Sequence, residues 1–586
     1  MGILEKKKKV IVTMQTLHVL LPLLVVSTLS SVDLGTACTN FLVTPGASTE
    51  GHATISYNAD SGAMFGSLGY YPPTNEKERT TYDWDTGKYI GEIPGWNRTT
   101  YNVVGNTNEH QLTIGETTFG GNSTLIGEGL LDYGSLIWVT LQRSRNVHEA
   151  ITNMDWLTQA YGYTSSGESF SIADPNEVWI MEMVGKGKNE RGSVWVAKRV
   201  PDGYVAAHAN QARIRAPLTA TDDCRFAADV VDFARSIGLY PADAKDEDFS
   251  FSDTFDPVSF SGARLAEARV WELFRQVSES PSFGDEYFDY VSGANLSHRM
   301  PLFIRPKEKL SLNQTFWLMR SHYEDSPLNM TDPSDVSAGA FSSSMRVRPL
   351  FWKSSSGKQY HNERPIGVQQ TAWHFTAEMR PEASSGAIVW FGVDDSSLSC
   401  HFPIYSKATR IPAAWVDKGI QHVDDKQQST QVDFDTAFWV FNMVANLVYS
   451  RHDDASAIVA AEISLQEEAF FNAVNWIDGA FEELIKAGKA DEAIETLTHF
   501  GVEKGQDLVS SWLELWKKLF FTFRDQLTIT PPSKPQDPRD HLWPNALQQG
   551  YPTAWNDRIA EDTGSRYEVP TGAQAARNPK LDIVGF

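Results

Sequence analysis

From residue 38 to about residue 402 the chain consists largely of short apolar and β-branched runs set in pairs across turn residues. This pairing limits the fold more than any other feature. Residues 39–44 and 53–57 are the first two runs. Residues 101–105 and 111–116 flank Asn106-Thr107-Asn108-Glu109-His110, and residues 169–173 and 177–184 flank Asp174-Pro175-Asn176. Residues 193–200 and 204–209 flank Pro201-Asp202-Gly203. Asn, Asp, Pro and Gly stand at these reversals because they tolerate or preset turn dihedrals. Residues 371–379 and 387–393 continue the pattern, with Asp394-Asp395 turning into residues 397–402. Strands joined by tight turns pair antiparallel, whereas a parallel sheet needs a helix between consecutive strands.

Helical periodicity lies between these groups. Residues 147–161 place Ala150, Ile151, Met154, Leu157 and Tyr161 on one face. Residues 222–237, 261–277 and 313–323 read the same way, and from 435 to about 525 the pattern is helical almost throughout. Its aromatic stripes, Phe438 and Phe441 among them, are core rather than a cofactor box. The expected fold is α+β, with antiparallel sheets covered by helices. A main unit spans 38–430 and a helical extension packed on it spans 431–527. A tail over 528–586, rich in Pro, Asp, Asn and Gln, is expected to be irregular or disordered.

Residues 1–37 have the layout of a secretory signal, with or without a short propeptide. Lys6 to Lys9 form a basic start, Leu17 to Leu29 an apolar stretch broken by Pro22, and Gly35 and Ala37 stand at −3 and −1 relative to Cys38. The stretch is too short and broken for a spanning helix, which needs about 20 apolar residues. Asn97, Asn122, Asn295, Asn313 and Asn329 each begin an Asn-x-Ser/Thr sequon, and N-glycans there fit a secreted or lysosome/vacuole-like destination. The net charge of −23 would repel phosphate backbones, so nucleic acid is not an expected partner. Three cysteines are too few for a disulfide scaffold. In an oxidising compartment they divide into one free thiol and a candidate Cys224–Cys400 bridge.

No HExxH, CxxC pair or Walker-type glycine loop is present, and His208 and His401 lack partners at metal-ligand spacing, so no metal or cofactor is expected. The chemistry centres on Cys38. If the Ala37–Cys38 bond is cut, this residue carries both a thiol and a free α-amine. A thiolate is a strong nucleophile, and an α-amine with a pKa of roughly 7.7–8.0 is a usable base near neutral pH. The competing reading is a buried or bridged cysteine near an ordinary N-terminus.

Ala37-Cys38-Thr39-Asn40-Phe41-Leu42-Val43 with Asn58-Ala59-Asp60-Ser61 resembles the start of the C69 dipeptidases, relatives of penicillin V acylase and bile-salt hydrolase. The likeness continues through Trp84-Asp85-Thr86-Gly87, Gly91-Glu92-Ile93-Pro94 and Gly115-Glu116-Thr117-Thr118. It runs on in His208-Ala209-Asn210-Gln211-Ala212-Arg213-Ile214 and Trp390-Phe391-Gly392-Val393-Asp394-Asp395, covering roughly 37–525. The resemblance implies a four-layer αββα N-terminal-nucleophile hydrolase sandwich with additional C-terminal helices. It implies Cys38 as nucleophile, Asp60 as the group that orients its α-amine, and Asn210 as an oxyanion-hole donor. The acylase relatives carry an arginine three residues before that aspartate, where this chain has Tyr57.

Three further residues are candidates for substrate binding. Arg213 either meets a substrate carboxylate or forms a structural ion pair, and Glu109 and Glu116 either bind a dipeptide's free amine or are surface carboxylates. Asp394-Asp395 reads as a hairpin turn, not a catalytic pair. The expected activity is that of a cysteine dipeptidase acting on dipeptides or other short peptides through a thioester. The rivals are an N-acyl amide hydrolase with the same nucleophile and a catalytically silent secreted glycoprotein.

Overall fold

The computed structural model describes residues 38–62, 64–417 and 430–571. The segment expected to act as a signal, residues 1–37, lies outside the described residues, as does the end of the tail from residue 572.

The chain begins with β1 (Thr39–Val43) and β2 (Ala53–Asp60), then a short β3 (Tyr70–Tyr71) and a separate hairpin of β4 (Glu78–Tyr82) and β5 (Tyr89–Pro94). Next come β6 (Val103–Val104), β7 (Thr107–Asn108) and β8 (Thr113–Phe119), followed by helices α1 (Tyr133–Leu141) and α2 (Val147–Tyr161). The meander β9 (Gly167–Ala173), β10 (Val178–Gly185) and β11 (Ser193–Arg199) leads to β12 (Val205–His208) and β13 (Cys224–Phe226). Helices α3 (Val230–Ser236), α4 (Phe251–Phe255), α5 (Ala268–Val277), α6 (Phe283–Glu286) and α7 (Phe288–Val291) precede β14 (Phe303–Ile304) and α8 (Leu312–Leu318). A small hairpin, β15 (Phe351–Lys353) and β16 (Gln359–His361), stands before β17 (Thr371–Met379), β18 (Ile388–Val393) and β19 (Phe402–Tyr405). The long helices α9 (Ala437–Tyr449), α10 (His452–Lys486) and α11 (Ala490–Phe523) follow.

Two antiparallel sheets organise these elements. One has seven strands in the order β14-β12-β1-β2-β17-β18-β19, the other eight in the order β13-β11-β10-β9-β8-β7-β6-β3. They pack face to face, with β1 and β2 against β8 and β9. Helices α1, α2 and α3 cover the outer face of the eight-stranded sheet, and α5, α9, α10 and α11 that of the seven-stranded one. The central strands β1, β2, β9, β10, β17 and β18 are therefore buried at every position. Polar side chains on them must find partners inside. Ser56 meets Thr376 at 2.8 Å, and Asn58 donates to the carbonyls of Met319 and Ile366. The sheets approach so closely at Gly115 that a Cβ there would lie 2.5 Å from Asn40 Oδ1, which explains a glycine inside a strand.

Helix α2 matches its expected span. Asn146 caps it by accepting from the Glu149 N–H, Gly162 at φ 80° ends it, and Val147, Ala150, Ile151, Met154 and Leu157 are its buried stripe. Four expectations change. Residues 193–200 and 204–209 do not form a hairpin: β11 pairs with β10 and β13, whereas β12 pairs with β1 and β14. The Pro201-Asp202-Gly203 turn thus carries the chain from one sheet to the other, where β12 fills the open flank of β1. The expected turn at 106–110 contains β7, because Asn108 accepts from the His110 and Leu112 N–H groups and places the reversal later. Of the helix expected over 222–237 only α3 is helical, since residues 224–226 extend the sheet edge. The tail expected to be irregular carries a strand pair, β20 (Thr528–Thr530) with β21 (Asn545–Leu547), and helix α12 (Thr553–Thr563).

Cys38, Cys224 and Cys400 are all free, so the expected Cys224–Cys400 bridge is not formed. Cys224 opens β13 at one edge of the eight-stranded sheet, and Cys400 precedes β19 at an edge of the other.

Candidate active site

Cys38 sits immediately before β1, a strand hydrogen-bonded on both sides, and is itself only 5% exposed. The pairing of Thr39 with Asn58 brings the end of β2 beside it, so Tyr57 and Asp60 both reach the cysteine. The Tyr57 hydroxyl lies 3.6 Å from Cys38 Sγ, and the thiol donates to Glu116 Oε1 at 3.5 Å. Tyr57 also donates a short hydrogen bond to the same Glu116 oxygen. Edge-to-face contacts with Phe375 at 5.5 Å and Trp373 at 6.4 Å hold the phenol ring. Burial pushes the Cys38 thiol well above its ordinary pKa, helped by the negative charges of Glu116 and Asp60 and opposed by hydrogen bonds from Tyr57 and the Asp60 backbone. As it stands, the sulfur is held protonated.

Asp60 ends β2 fully buried. Its Oδ1 accepts from Thr371 Oγ1 at 2.6 Å and its Oδ2 from Arg364 Nη2 at 3.0 Å. Burial still raises its pKa, against the pull of Arg364, Thr371 and Arg269. Asn210 follows β12 at φ 67°, a conformation Asn adopts more readily than most residues. Its Nδ2 donates to the Thr118 carbonyl, and its Oδ1 accepts from Arg269 Nη2 at 2.8 Å.

Arg269 joins the group from α5. Its Nη1 donates to the Cys38 carbonyl at 2.7 Å and to Thr39 Oγ1 at 2.8 Å, and its Nη2 also reaches the Ala209 carbonyl at 3.0 Å. One guanidinium therefore ties Cys38 to Asn210. Burial pulls its pKa down to about 9, with Arg364 adding to the effect. A π-helical turn over Gly262–Glu267 leads into α5, a distortion often found beside functional side chains. Sequence reasoning missed Arg269, and its only signal was an arginine within an apolar helical stripe. It also took Tyr57 only as a missing positive charge, although the phenol touches the sulfur.

Glu116 on β8 is the candidate carboxylate that reaches the thiol, and burial pushes it up to about 7. Glu168 on β9 lies beside it, accepts from Thr118 Oγ1 at 2.9 Å, and is pushed well above the usual range by burial and by Glu116. Tyr57 and Glu116 line a narrow pocket whose other walls include Trp84, Tyr133, Trp138 and Trp373. Glu109, half-buried, accepts from the Asn102 N–H at 3.0 Å. Arg213 takes the structural of its two readings. It pairs with Glu267 at 2.9 Å and donates to the carbonyls of Ala207, Pro301 and Leu302, so its guanidinium is engaged by the fold.

His208 bridges Thr117 and Ser171 at 2.7 Å each, and burial lowers it to about 3, so it stays neutral. His401 contacts Glu467 and His374 beneath α10. Asp394 is a turn residue at φ 68° whose Oδ1 accepts from Asn442.

The model of peptidase family C69 matches residues 67–464, a span that contains Glu116, Asn210 and Arg269 and begins after Cys38 and Asp60. Dipeptidase A of Lactobacillus helveticus is 21% identical over 453 residues, covering 72% of this chain and 85% of its own length. A probable dipeptidase of Latilactobacillus sakei is 22% identical, with 74% and 84% covered. A dipeptidase of Bifidobacterium longum is 22% identical over 53% of this chain and 52% of its own length.

Proposed function

The chain belongs to peptidase family C69, and from that premise we propose that it is a cysteine dipeptidase whose nucleophile is Cys38, freed as the first residue of the mature protein. The observation that carries the reading is the convergence on Cys38 of Asp60 from β2 and Arg269 from α5, with Asn210 in the turn after β12 tied to the cysteine through Arg269. Family membership supports action on peptide bonds, and the thiol supplies the chemistry.

In the uncut chain the Cys38 nitrogen is an amide and cannot act as a base. Once free, the amine takes the thiol proton directly or through water, and the neighbouring ammonium then stabilises the thiolate against burial. Sγ attacks the scissile carbonyl carbon, and the carbonyl oxygen becomes an oxyanion. Asn210 Nδ2 uses one hydrogen on the Thr118 carbonyl, and its second is free to meet that oxyanion together with a backbone N–H. Collapse breaks the C–N bond, the ammonium returns its proton to the leaving amine, and a thioester remains. Water then adds to the thioester and restores the thiol. The buried Asp60 carboxylate orients the Cys38 amine and favours its protonated form.

The two face-to-face sheets with helices on both outer sides support assignment to the N-terminal-nucleophile hydrolase sandwich. Residues 38–430 form its catalytic unit and 431–527 a helical extension. Removal of residues 1–37 as a signal places the mature enzyme outside the cell or in a lysosome- or vacuole-like compartment. Asn97, Asn122, Asn295 and Asn313 are exposed and available to glycans, whereas Asn329 is half-buried. The rival N-acyl amide hydrolase draws support from the aromatic pocket walls, which suit an acyl chain.

The test is N-terminal sequencing of active protein, coupled to a panel of dipeptides, blocked dipeptides and acyl amides. A chain beginning at Cys38 that hydrolyses free dipeptides is expected. Activity from a chain with residues still attached before Cys38 would overturn the mechanism.

A further inference from the structure

We propose that the Glu116 carboxylate, backed by Glu168, is the site that recognises the free α-ammonium group of the substrate's first residue. The inference rests on the dipeptidase reading and deepens it, because it gives the physical reason a free amino terminus would be required.

Reach is the first argument. The α-nitrogen of a peptide's first residue is two bonds from the carbonyl carbon under attack, about 2.5 Å away through standard N–Cα and Cα–C lengths. With the carbonyl seated on Cys38, a carboxylate oxygen 3.5 Å from the attacking sulfur can be reached by that nitrogen when the peptide's amino end is turned toward β8.

Charge is the second. Glu116 is 1% exposed, yet among the described residues no lysine or arginine pairs with it. Its Oε1 is met by Tyr57 and the thiol, and neither Glu116 Oε2 nor Glu168 Oε2 has a partner outside this carboxyl pair. A buried carboxylate with no counter-cation is costly to ionise. Burial and the neighbouring Glu116 raise Glu168 well above the usual carboxylate range, so a second negative charge beside Glu116 is disfavoured. A substrate ammonium would supply the missing cation.

The walls are the third. The pocket that Glu116 enters is lined by Tyr57, Trp84, Tyr133, Trp138 and Trp373. Aromatic faces attract a desolvated ammonium and offer little to a carboxylate. Tyr57 is neutral and donates to Glu116, so it favours the ionised carboxylate without supplying a counter-charge of its own.

The experiment compares alanyl-leucine with propionyl-leucine, which differ only by the amino group, on the mature enzyme beginning at Cys38. The wild type is expected to favour the dipeptide in kcat/KM by about 10²-fold, and Glu116→Gln to remove most of that preference, chiefly through KM. Equal loss on both substrates would overturn the inference, because Glu116 would then serve the thiol rather than the amine. Undiminished dipeptide turnover would overturn it as well. Glu116→Asp should restore part of the preference. A measurement without substitution guards against misfolding. Alanyl-leucine should protect Cys38 of the wild type from iodoacetamide, and N-acetyl-alanyl-leucine should not; equal protection by both would refute ammonium recognition. Hydrolysis of neither substrate by the wild type, or full hydrolysis by Cys38→Ala, would instead bring down the dipeptidase reading, and this inference with it.

Discussion

Two buried charge clusters lie on opposite faces of the seven-stranded sheet, and they are built in opposite ways. Beneath α10, Glu467 accepts from Arg320 Nη2 at 2.5 Å and Nη1 at 3.1 Å, and from His401 through both its backbone N–H and its ring. Every charge there has a partner, and Arg320 and His401 hold Glu467 down to about 2 despite burial. Between the sheets, Glu116 has been pushed up to about 7 and Glu168 is also raised, with no cation paired to either among the described residues. The first cluster is matched and locks a helix to the sheet. The second is left unmatched where a narrow pocket reaches it, and perturbed groups gather in active sites.

The sharpest break of this comparison is Cys38→Ala. It should lower dipeptide hydrolysis by more than about 10³-fold while circular dichroism and thermal unfolding stay close to the wild type. Glu467→Ala should do the reverse. Leaving Arg320 unpaired destabilises the protein by about 3–5 kcal/mol in denaturant titration, with kcat per folded molecule nearly unchanged. Loss of turnover from the folded fraction would mean that the helical clamp takes part in the chemistry. Asn210→Ala should cost about 10²-fold in kcat with little change in KM, as removal of one oxyanion donor does. A pure KM effect would show that Asn210 binds the ground state instead.

The smallest effect sharpens the contrast through pH. Glu467 is lowered on folding, so its contribution is present above its unfolded pKa near 4.5 and is lost as pH falls towards about 2. Glu116 is raised on folding, so its contribution is present below about 4.5 and is lost as pH rises through about 7. Relative to wild type, Glu467→Gln should therefore recover stability on acidification from pH 5 to 2. Glu116→Gln should gain stability between pH 5 and 8. Parallel pH profiles for the two variants would erase the distinction between the clusters.

The amino-acid sequence by itself determined the local elements: β1 after Cys38, the β9–β10 hairpin, the span of α2, and the helical character of residues 435 to about 525. It did so because turn chemistry, capping and side-chain period act over a few residues and survive in any tertiary setting. The likeness to C69 dipeptidases was legible for the same reason, being carried by short motifs. Only the tertiary structure decided that β12 leaves the hairpin to flank β1, that Arg269 binds the Cys38 backbone from 231 residues away, and that Glu116 meets the thiol while Arg213 turns to Glu267. Those outcomes depend on which faces are buried against each other and on how each buried charge is neutralised, quantities set by long-range packing that no local pattern records.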